Sequence, residues 1–308
     1  MTPQPDIAGQ TRQPKDETKA MTTEHTVAVV TGASRGAGRG IAIALGQHGC
    51  TVYVTGRTQK TGDAPLPGTI YETAEAVTAA GGKGIAVAVD HCNDNQVAAL
   101  FALVHQEQER LDILVNNAFA AHDEMTTPGN FWEKPIALVD MWQAGLRGAY
   151  VASHHAARLM STQGHGLIAF TSAPGARHYV FGPAYGVHKA GLDKMAADMA
   201  VDLKPFGVAT ASIWMGALMT ERLQAMIDAE PDKYAYLQPE SMETPGFTGQ
   251  VLWALYKDPE LIELSGKAMI GAELGLKYGI TDVEGRQPPS YRERHGVYPA
   301  EQHPFVIR

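Results

Sequence analysis

Residues 26–44 read TVAVVTGASRGAGRGIAIA, and the succession of residue types along this stretch decides the fold. The β-branched apolar run 27–31 is the pattern of a fully buried strand. It breaks into Gly32, Gly36, Gly38 and Gly40, after which an Ala-rich helical pattern begins. A strand that turns so tightly into a helix needs glycine where a Cβ would block the reversal. The N–H groups exposed there, at the positive end of the helix dipole, attract an anion such as a dinucleotide pyrophosphate. The spacing is Gly-x3-Gly-x-Gly and not G-x-G-x-x-G. From the turn alone, a glycine-rich packing of helix on sheet therefore stands open beside nucleotide binding.

The pattern repeats downstream. Residues 51–55 (TVYVT), 84–89 (GIAVAV), 111–115, 166–171 (GLIAFT), 208–213 and 267–271 read as strands. Residues 70–80, 94–110, 136–161, 182–204 and 250–256 read as helices; in the second, Val97, Leu100, Phe101 and Val104 share one face. Strands alternating with helices imply right-handed βαβ units and an α/β domain whose parallel sheet is covered on both faces, over 25–286. Residues 216–246 carry Met and Pro but no strand pattern and are expected to form a lid. Residues 1–24, rich in Pro, Gln, Thr and charge, are expected as a disordered tail, and 287–308 as a C-terminal tail wrapping the surface.

Composition narrows the partners. The 308 residues carry a net charge of −8 without basic clusters, which argues against nucleic acid or an anionic membrane and for a small molecule. No apolar run is long enough to cross a bilayer. The two cysteines, Cys50 and Cys92, have no CxxC or Cys/His ligand spacing, so neither a disulfide framework nor a metal site is expected and a reducing cytoplasm fits. His154 and His155, adjacent on a helix, face different directions and suit packing better than chelation.

An acidic residue normally ends the second strand of a dinucleotide fold and holds a ribose 2′-hydroxyl. Arg57 stands there instead, and Arg35 lies inside the glycine turn. Two guanidinium groups flanking a 2′-phosphate favour NADP(H) over NAD, with solvated surface charge as the plainer reading.

The chemistry concentrates further on. Ser172 stands at a strand end, and Tyr185 and Lys189, four apart, share one helix face. An ammonium beside a phenol is expected to favour the phenolate, turning a group of pKa about 10 into an acid/base, while a serine hydroxyl can donate to a carbonyl oxygen as charge grows on it. His188 is read as structural, off the Tyr185 face. Phe119, Tyr179, Trp214 and Met215 are candidates for an apolar substrate pocket. Arg177 and His178 read as solvated loop charges.

Together, Thr31-Gly32-x3-Gly36-x-Gly38, Asn116-Asn117-Ala118, Ser172 and Tyr185-x3-Lys189 resemble the short-chain dehydrogenase/reductase family in order and spacing, over 26–285. Thr55-Gly56-Arg57, Gly145-Leu146-Arg147-Gly148, Leu264-Ser265-Gly266-Lys267, Lys277-Tyr278-Gly279 and the run from Asp282 to Arg286 resemble one branch of it. The resemblance implies a doubly wound Rossmann-type sheet of about seven strands in the order 3-2-1-4-5-6-7, and a homodimer or homotetramer. It makes Tyr185 the general acid or base, has Lys189 bind the nicotinamide ribose and tune Tyr185, and has Ser172 position the substrate oxygen. It assigns Gly32, Ser34, Arg35, Gly36, Ala37, Gly38, Arg57, Asp90, Asn117, Tyr185, Lys189 and Gly216 to the cofactor, with Asn116 structural beside it. Three positions depart from the family. Gly145 stands where an Asn usually holds a water that feeds protons through the Lys, Phe119 replaces a glycine, and Met215-Gly216 replaces Pro-Gly. The expected activity is hydride transfer between NADP(H) and a carbonyl or alcohol, with a lipophilic ketone or aldehyde as substrate. The rivals are a catalytically weakened NADP-binding regulatory module and a lyase or epimerase on the same scaffold.

Overall fold

The structure is a computed structural model that describes residues 25–235 and 237–307; the expectation for 1–24 lies outside the described residues. The chain opens with β1 (Val27–Val30), α1 (Gly36–Gln47), β2 (Thr51–Gly56), α2 (Ile70–Ala79), β3 (Lys83–Ala88), α3 (Asp94–Gln108) and β4 (Ile113–Asn116). It continues with α4 (Gly148–Gln163), β5 (Gly166–Ser172), α5 (Pro183–Leu203), β6 (Val208–Trp214), α6 (Glu221–Ala229) and α7 (Pro231–Tyr234). It ends with α8 (Pro245–Tyr256), α9 (Leu261–Leu264), β7 (Lys267–Ile270), α10 (Gly271–Tyr278) and α11 (Tyr291–His295). All strand pairs are parallel, in the order β3-β2-β1-β4-β5-β6-β7. This is the doubly wound sheet expected from the sequence.

The strand period of two explains the two layers. Ala28 and Val30 of β1 face a core shared with α1, α2 and α8, while Val27 and Val29 face one shared with α3, α4 and α5. At the amino end of the sheet the fully buried Asp112 accepts the Val27 N–H at 2.7 Å, an Arg110 N–H at 2.7 Å and the Tyr256 hydroxyl at 3.3 Å. The buried carboxyl oxygens thus have partners, and β1 is fixed against β4. The opposite, carboxyl end of the sheet is left for chemistry.

The helix expected over 136–161 is present, but it changes type along its length. A 3₁₀ turn at Ile136–Asp140 and a π-turn at Gln143–Arg147 precede α4. The apolar pattern survives such a widening, so it gave no warning of one; Gly145 and Gly148 have no Cβ, and a Cβ on Gly148 would fall 2.7 Å from the His91 carbonyl. The segment 216–246 holds α6, α7 and the start of α8's approach, with Thr220 capping α6 through the Leu223 N–H at 3.3 Å. Beyond residue 287, Ser290 is buried and donates to Glu273 at 2.7 Å, and Tyr291 and Val297 pack on Trp214, Ile270 and Ala272. No helix among the described residues is long and apolar enough to cross a membrane.

Glu243 closes this end of the fold. Its N–H donates to the Ala217 carbonyl at 2.8 Å and its carbonyl accepts from Met219 N–H at 3.0 Å, which ties the loop after β6 to the start of α8. The side chain is 2% exposed and Oε2 has no partner among the described residues. Burial, with Asp282 adding and a Gly216 N–H opposing, pushes the carboxyl up to about 7. A folded value above the unfolded value of about 4.3 means that the folded state holds a proton the unfolded state has lost. The stability contribution therefore falls as pH rises from about 4.3 to about 7, and the cost is complete above that. Glu243→Gln keeps the shape without the charge. Its melting temperature should match wild type near pH 4 and exceed it at pH 8, by a stability gain of up to about 4 kcal/mol, at about 1.4 kcal/mol per pKa unit. A difference that does not change with pH in thermal melts would show that the carboxyl's ionisation is not the cause.

Candidate active site

The glycine turn is held by contacts too close for side chains. Gly32 has φ +64°, and a Cβ on it would lie 2.7 Å from the Ala118 Cα; a Cβ on Gly38 would lie 2.5 Å from the Asn117 Nδ2. The Asn117 amide donates to the carbonyls of Thr31 (2.9 Å) and Gly32 (3.1 Å), and the Thr31 hydroxyl accepts the N–H groups of Asn117 and Ala118, both at 2.9 Å. The Asn117 side chain is thus spent on shaping the turn. At the start of α1 the Gly36 N–H donates to Glu221 Oε2 at 2.9 Å, so a carboxylate stands where a phosphate oxygen would. Ser34 is buried below this corner, and Ala37 packs against the core.

Arg35 donates to the carbonyls of Pro67 (2.9 Å) and Gly68 (2.9 Å) and to the Thr58 hydroxyl (3.1 Å). It therefore reaches the neighbour of Arg57, which is exposed just past β2. Arg35 is thus engaged with the loop between β2 and α2, and Arg57 lies in the exposed chain just past β2. Asp90, at the end of β3, accepts the Cys92 N–H at 3.0 Å and so caps its own turn. Asn116 donates to the Ser153 hydroxyl at 2.9 Å inside the core between β4 and α4.

Across the sheet end, Pro183 at the first position of α5 sets the helix so that Tyr185 and Lys189 face the end of β5. Lys189 Nζ donates to the Thr171 carbonyl at 3.0 Å and lies 5.6 Å from the Tyr185 ring centroid and 5.5 Å from that of Phe119. Ser172 is fully buried, and its hydroxyl donates to the Lys189 carbonyl at 3.2 Å. One turn beyond Lys189, Asp193 accepts from the Ser212 hydroxyl at 2.6 Å and the Trp214 indole N–H at 2.8 Å. The Tyr185 ring is enclosed by Phe181 (edge-on, 5.3 Å), Phe119 (edge-on, 6.3 Å) and Gly175, whose Cβ would meet Tyr185 Cε1 at 2.6 Å.

This enclosure reverses one expectation. The phenol of Tyr185 is pushed up, by burial first and by the neighbouring Tyr291 second, where the sequence argument had Lys189 pulling it down. The ammonium is aimed at the Thr171 carbonyl, and burial disfavours the phenolate. The same burial lowers Lys189 to about 8, with Asp193 opposing, and raises Asp193.

Of the apolar pocket candidates, Phe119 stands against Tyr185 and Lys189, and Met215 is half-buried with its N–H on the Ser172 carbonyl at 3.2 Å. Tyr179 is 75% exposed, and Trp214 is fully buried, so it lines no open surface and instead holds Asp193. Gly216 makes room for Glu243, because a Cβ would meet its Oε1 at 2.6 Å.

Sequence reasoning missed His188, which lies against Phe119, ring centroids 5.1 Å apart, and not off the site. The signal was present: residues three apart on a helix are neighbours, as Tyr185 and His188 are. It also missed Asp193, four residues beyond Lys189 on the same helix and so open to the same spacing argument, and Glu221, Phe181, Glu243 and Tyr291, whose places depend on loops or on chain beyond the last strand.

The family model for short chain dehydrogenase matches residues 26–231. Dehydrogenase/reductase SDR family member 1 of Mus musculus is 40% identical over 275 residues, covering 86% of this chain and 85% of the mouse protein. The Homo sapiens protein of that name is 40% identical over 278 residues, with 86% and 85% covered. A short chain dehydrogenase from Mycobacterium thermoresistibile superposes with a TM-score of 0.70 at 23% identity, covering 86% of this chain and 92% of its own. A short-chain type dehydrogenase/reductase from Mycobacterium marinum does so with a TM-score of 0.66 at 22% identity, covering 80% and 93%. A site of Ser172, Tyr185 and Lys189 across a sheet end from a glycine turn, on a sheet of this order, agrees with these matches: the chain belongs to the short-chain dehydrogenase/reductase family, in the branch of its mammalian member 1.

Proposed function

We propose that the protein is an NADP(H)-dependent carbonyl reductase or alcohol dehydrogenase acting on a lipophilic ketone or aldehyde. The observation that carries this reading is the Tyr185–Lys189 pair within an aromatic enclosure, beside a helix N-terminus that already binds a carboxylate. That carboxylate supports the fit of the cofactor, because it has the charge and the acceptor oxygens of a phosphate. Gly32, Ser34, Gly36, Ala37 and Gly38 would surround the pyrophosphate, with Asn117 holding the turn. Arg35 and Arg57 would take the 2′-phosphate, Asp90 the adenine side, and Gly216, Tyr185 and Lys189 the nicotinamide half. When bound, the nicotinamide supplies or accepts the hydride.

The chain's own residues handle the proton and the geometry. A phenol pushed up by burial is a protonated acid at neutral pH, suited to donate to a carbonyl oxygen as negative charge grows there. Lys189 gives the phenolate a nearby cation, and Ser172 offers a hydroxyl to the same substrate oxygen. Phe119, Phe181 and the segment 216–246, acting as lid, supply apolar surface and exclude water. The rest of the reading is a domain over 25–286 working as a homodimer or homotetramer in the cytoplasm.

Two experiments test it. With a panel of ketones, aldehydes and quinones, NADPH oxidation should fall by about 100-fold or more in Tyr185→Phe, with NADPH affinity retained. Tight NADPH binding with no Tyr185-dependent oxidation supports a binding module, and conversion of substrate without net NADPH use supports a lyase or epimerase. Arg57→Ala should raise the NADPH dissociation constant about 10-fold or more, the worth of a charge-assisted hydrogen bond of about 1.5–3 kcal/mol, and leave NADH unchanged. Equal wild-type affinity for both cofactors, measured by fluorescence titration, would remove the case for NADP.

A further inference from the structure

Glu221 opens α6, and its side chain reaches across to the first residue of α1, where Oε2 accepts the Gly36 N–H at 2.9 Å. The two residues are far apart in the sequence, so the placement of a whole helix makes the contact. Thr220 lies over the same spot, because a Cβ on Gly36, whose φ is +56°, would meet its Cγ2 at 3.7 Å. The charges of this first turn also reach the neighbouring guanidinium. Burial pulls Arg35 down from its usual range, with Glu221 opposing the fall and Arg222 adding to it. A helix N-terminal N–H with a guanidinium nearby is what a phosphate oxygen seeks. Glu221 meets the first by a hydrogen bond and the second through its charge.

The way α6 is attached makes this contact exchangeable. None of the residues of α6 is buried. Just before it, the chain is tied down where the Met219 N–H donates to the Glu243 carbonyl at 3.0 Å. Its first turn then reaches the rest of the fold through Glu221 on Gly36 and through Arg222, which pairs with Asp123 in the turn after β4. The Asp123 side chain is 89% exposed, and an ion pair so open to water holds weakly. A helix held by polar contacts at one end, without a buried side chain, opens more readily than the sheet beneath it.

We propose that Glu221 is a built-in competitor of the cofactor's pyrophosphate, so that this carboxylate and the cofactor exclude each other at Gly36 and the residue sets how tightly the cofactor binds. This rests on the cofactor assignment above. The Gly36 N–H has one proton to donate, and two anions brought to it repel each other in a partly buried place. Arrival of the phosphate therefore frees Glu221 and the first turn of α6, and return of the carboxylate helps the spent cofactor to leave. A site whose own carboxylate is in place about nine-tenths of the time binds about 10-fold more weakly than one left open. The competition acts at the phosphates, which NADPH shares with ADP, and is indifferent to the nicotinamide.

The test measures dissociation constants of NADPH and ADP by calorimetry for wild type, Glu221→Gln, Glu221→Ala and Asp228→Asn. Gln keeps the shape of the side chain without its charge, and Ala removes both. Asp228 is exposed on α6 and paired with Gln224, so its change removes one charge without touching the glycine turn. Both Glu221 variants should bind NADPH and ADP about 10-fold more tightly, and Asp228→Asn should change either by less than about 2-fold, as expected of a screened surface charge. In hydrogen exchange, the peptide spanning α6 should exchange faster when ADP is added to wild type, and as fast in Glu221→Ala without ADP. A wild type that does not bind NADPH fails the cofactor assignment and the proposal with it. Wild-type binding that the Glu221 variants leave unchanged or weaken overturns the proposal alone. So does a gain matched by Asp228→Asn, a gain confined to NADPH, or slower exchange of α6 on adding ADP.

Discussion

The close approach of the β1–α1 turn to the end of β4 is the constraint on which the remaining architecture depends. Gly32, Gly38, Asn117 and Ala118 meet at distances that leave no room for a Cβ, and the Thr31 hydroxyl and Asn117 amide fix the contact with directed hydrogen bonds. Because this turn cannot relax, α1 starts where it does and its unsatisfied N–H groups point past the sheet end. The structure meets that demand with Glu221, borrowed from the lid-side helix α6. The anion site and the segment 216–246 are thereby physically linked, since whatever anion takes the Gly36 N–H displaces a carboxylate carried by that segment.

A second line runs along α5. Tyr185, His188, Lys189 and Asp193 follow at helical spacing, His188 and Lys189 buried and Tyr185 and Asp193 partly so, and burial moves each in the direction that favours its neutral form. The stripe is tuned by desolvation more than by mutual attraction. Asp193 opposes the trend at Lys189, and it is itself held by Ser212 and Trp214 of β6. The indole that looked like a pocket wall is in fact part of the support of the lysine.

What could be read in advance follows from which forces are local. Strand and helix alternation was legible because burial on both faces of a parallel sheet writes itself into continuous apolar runs, and Tyr185 with Lys189 was legible because one helical turn is a fixed distance. The strand order and the assignment of individual residues to the cofactor came through family resemblance, which residue patterns alone do not contain. The π-turn escaped because inserting one residue into a helix leaves the apolar face intact. Glu243 and Tyr291 escaped because a loop bridge and a docked C-terminal segment bring them in, and neither leaves a periodic trace. The direction of the Tyr185 shift escaped for a different reason: charge proximity is visible in spacing, whereas the aromatic enclosure that outweighs it appears only after folding.

Gly145 and His188 show how two departures can be one. Taken singly, a glycine in place of a polar side chain reads as a loss, and a histidine beside the lysine reads as decoration. In space they are complementary, since the absence of a Cβ on one helix is the room for an imidazole on another. A core packed at the density of a crystal tolerates a missing side chain only when a neighbour fills the volume, so the glycine and the histidine have to be exchanged together. Volume alone would have been met by an apolar residue at 188, and it is the two nitrogens without a partner among the described residues that make the choice of histidine a chemical one.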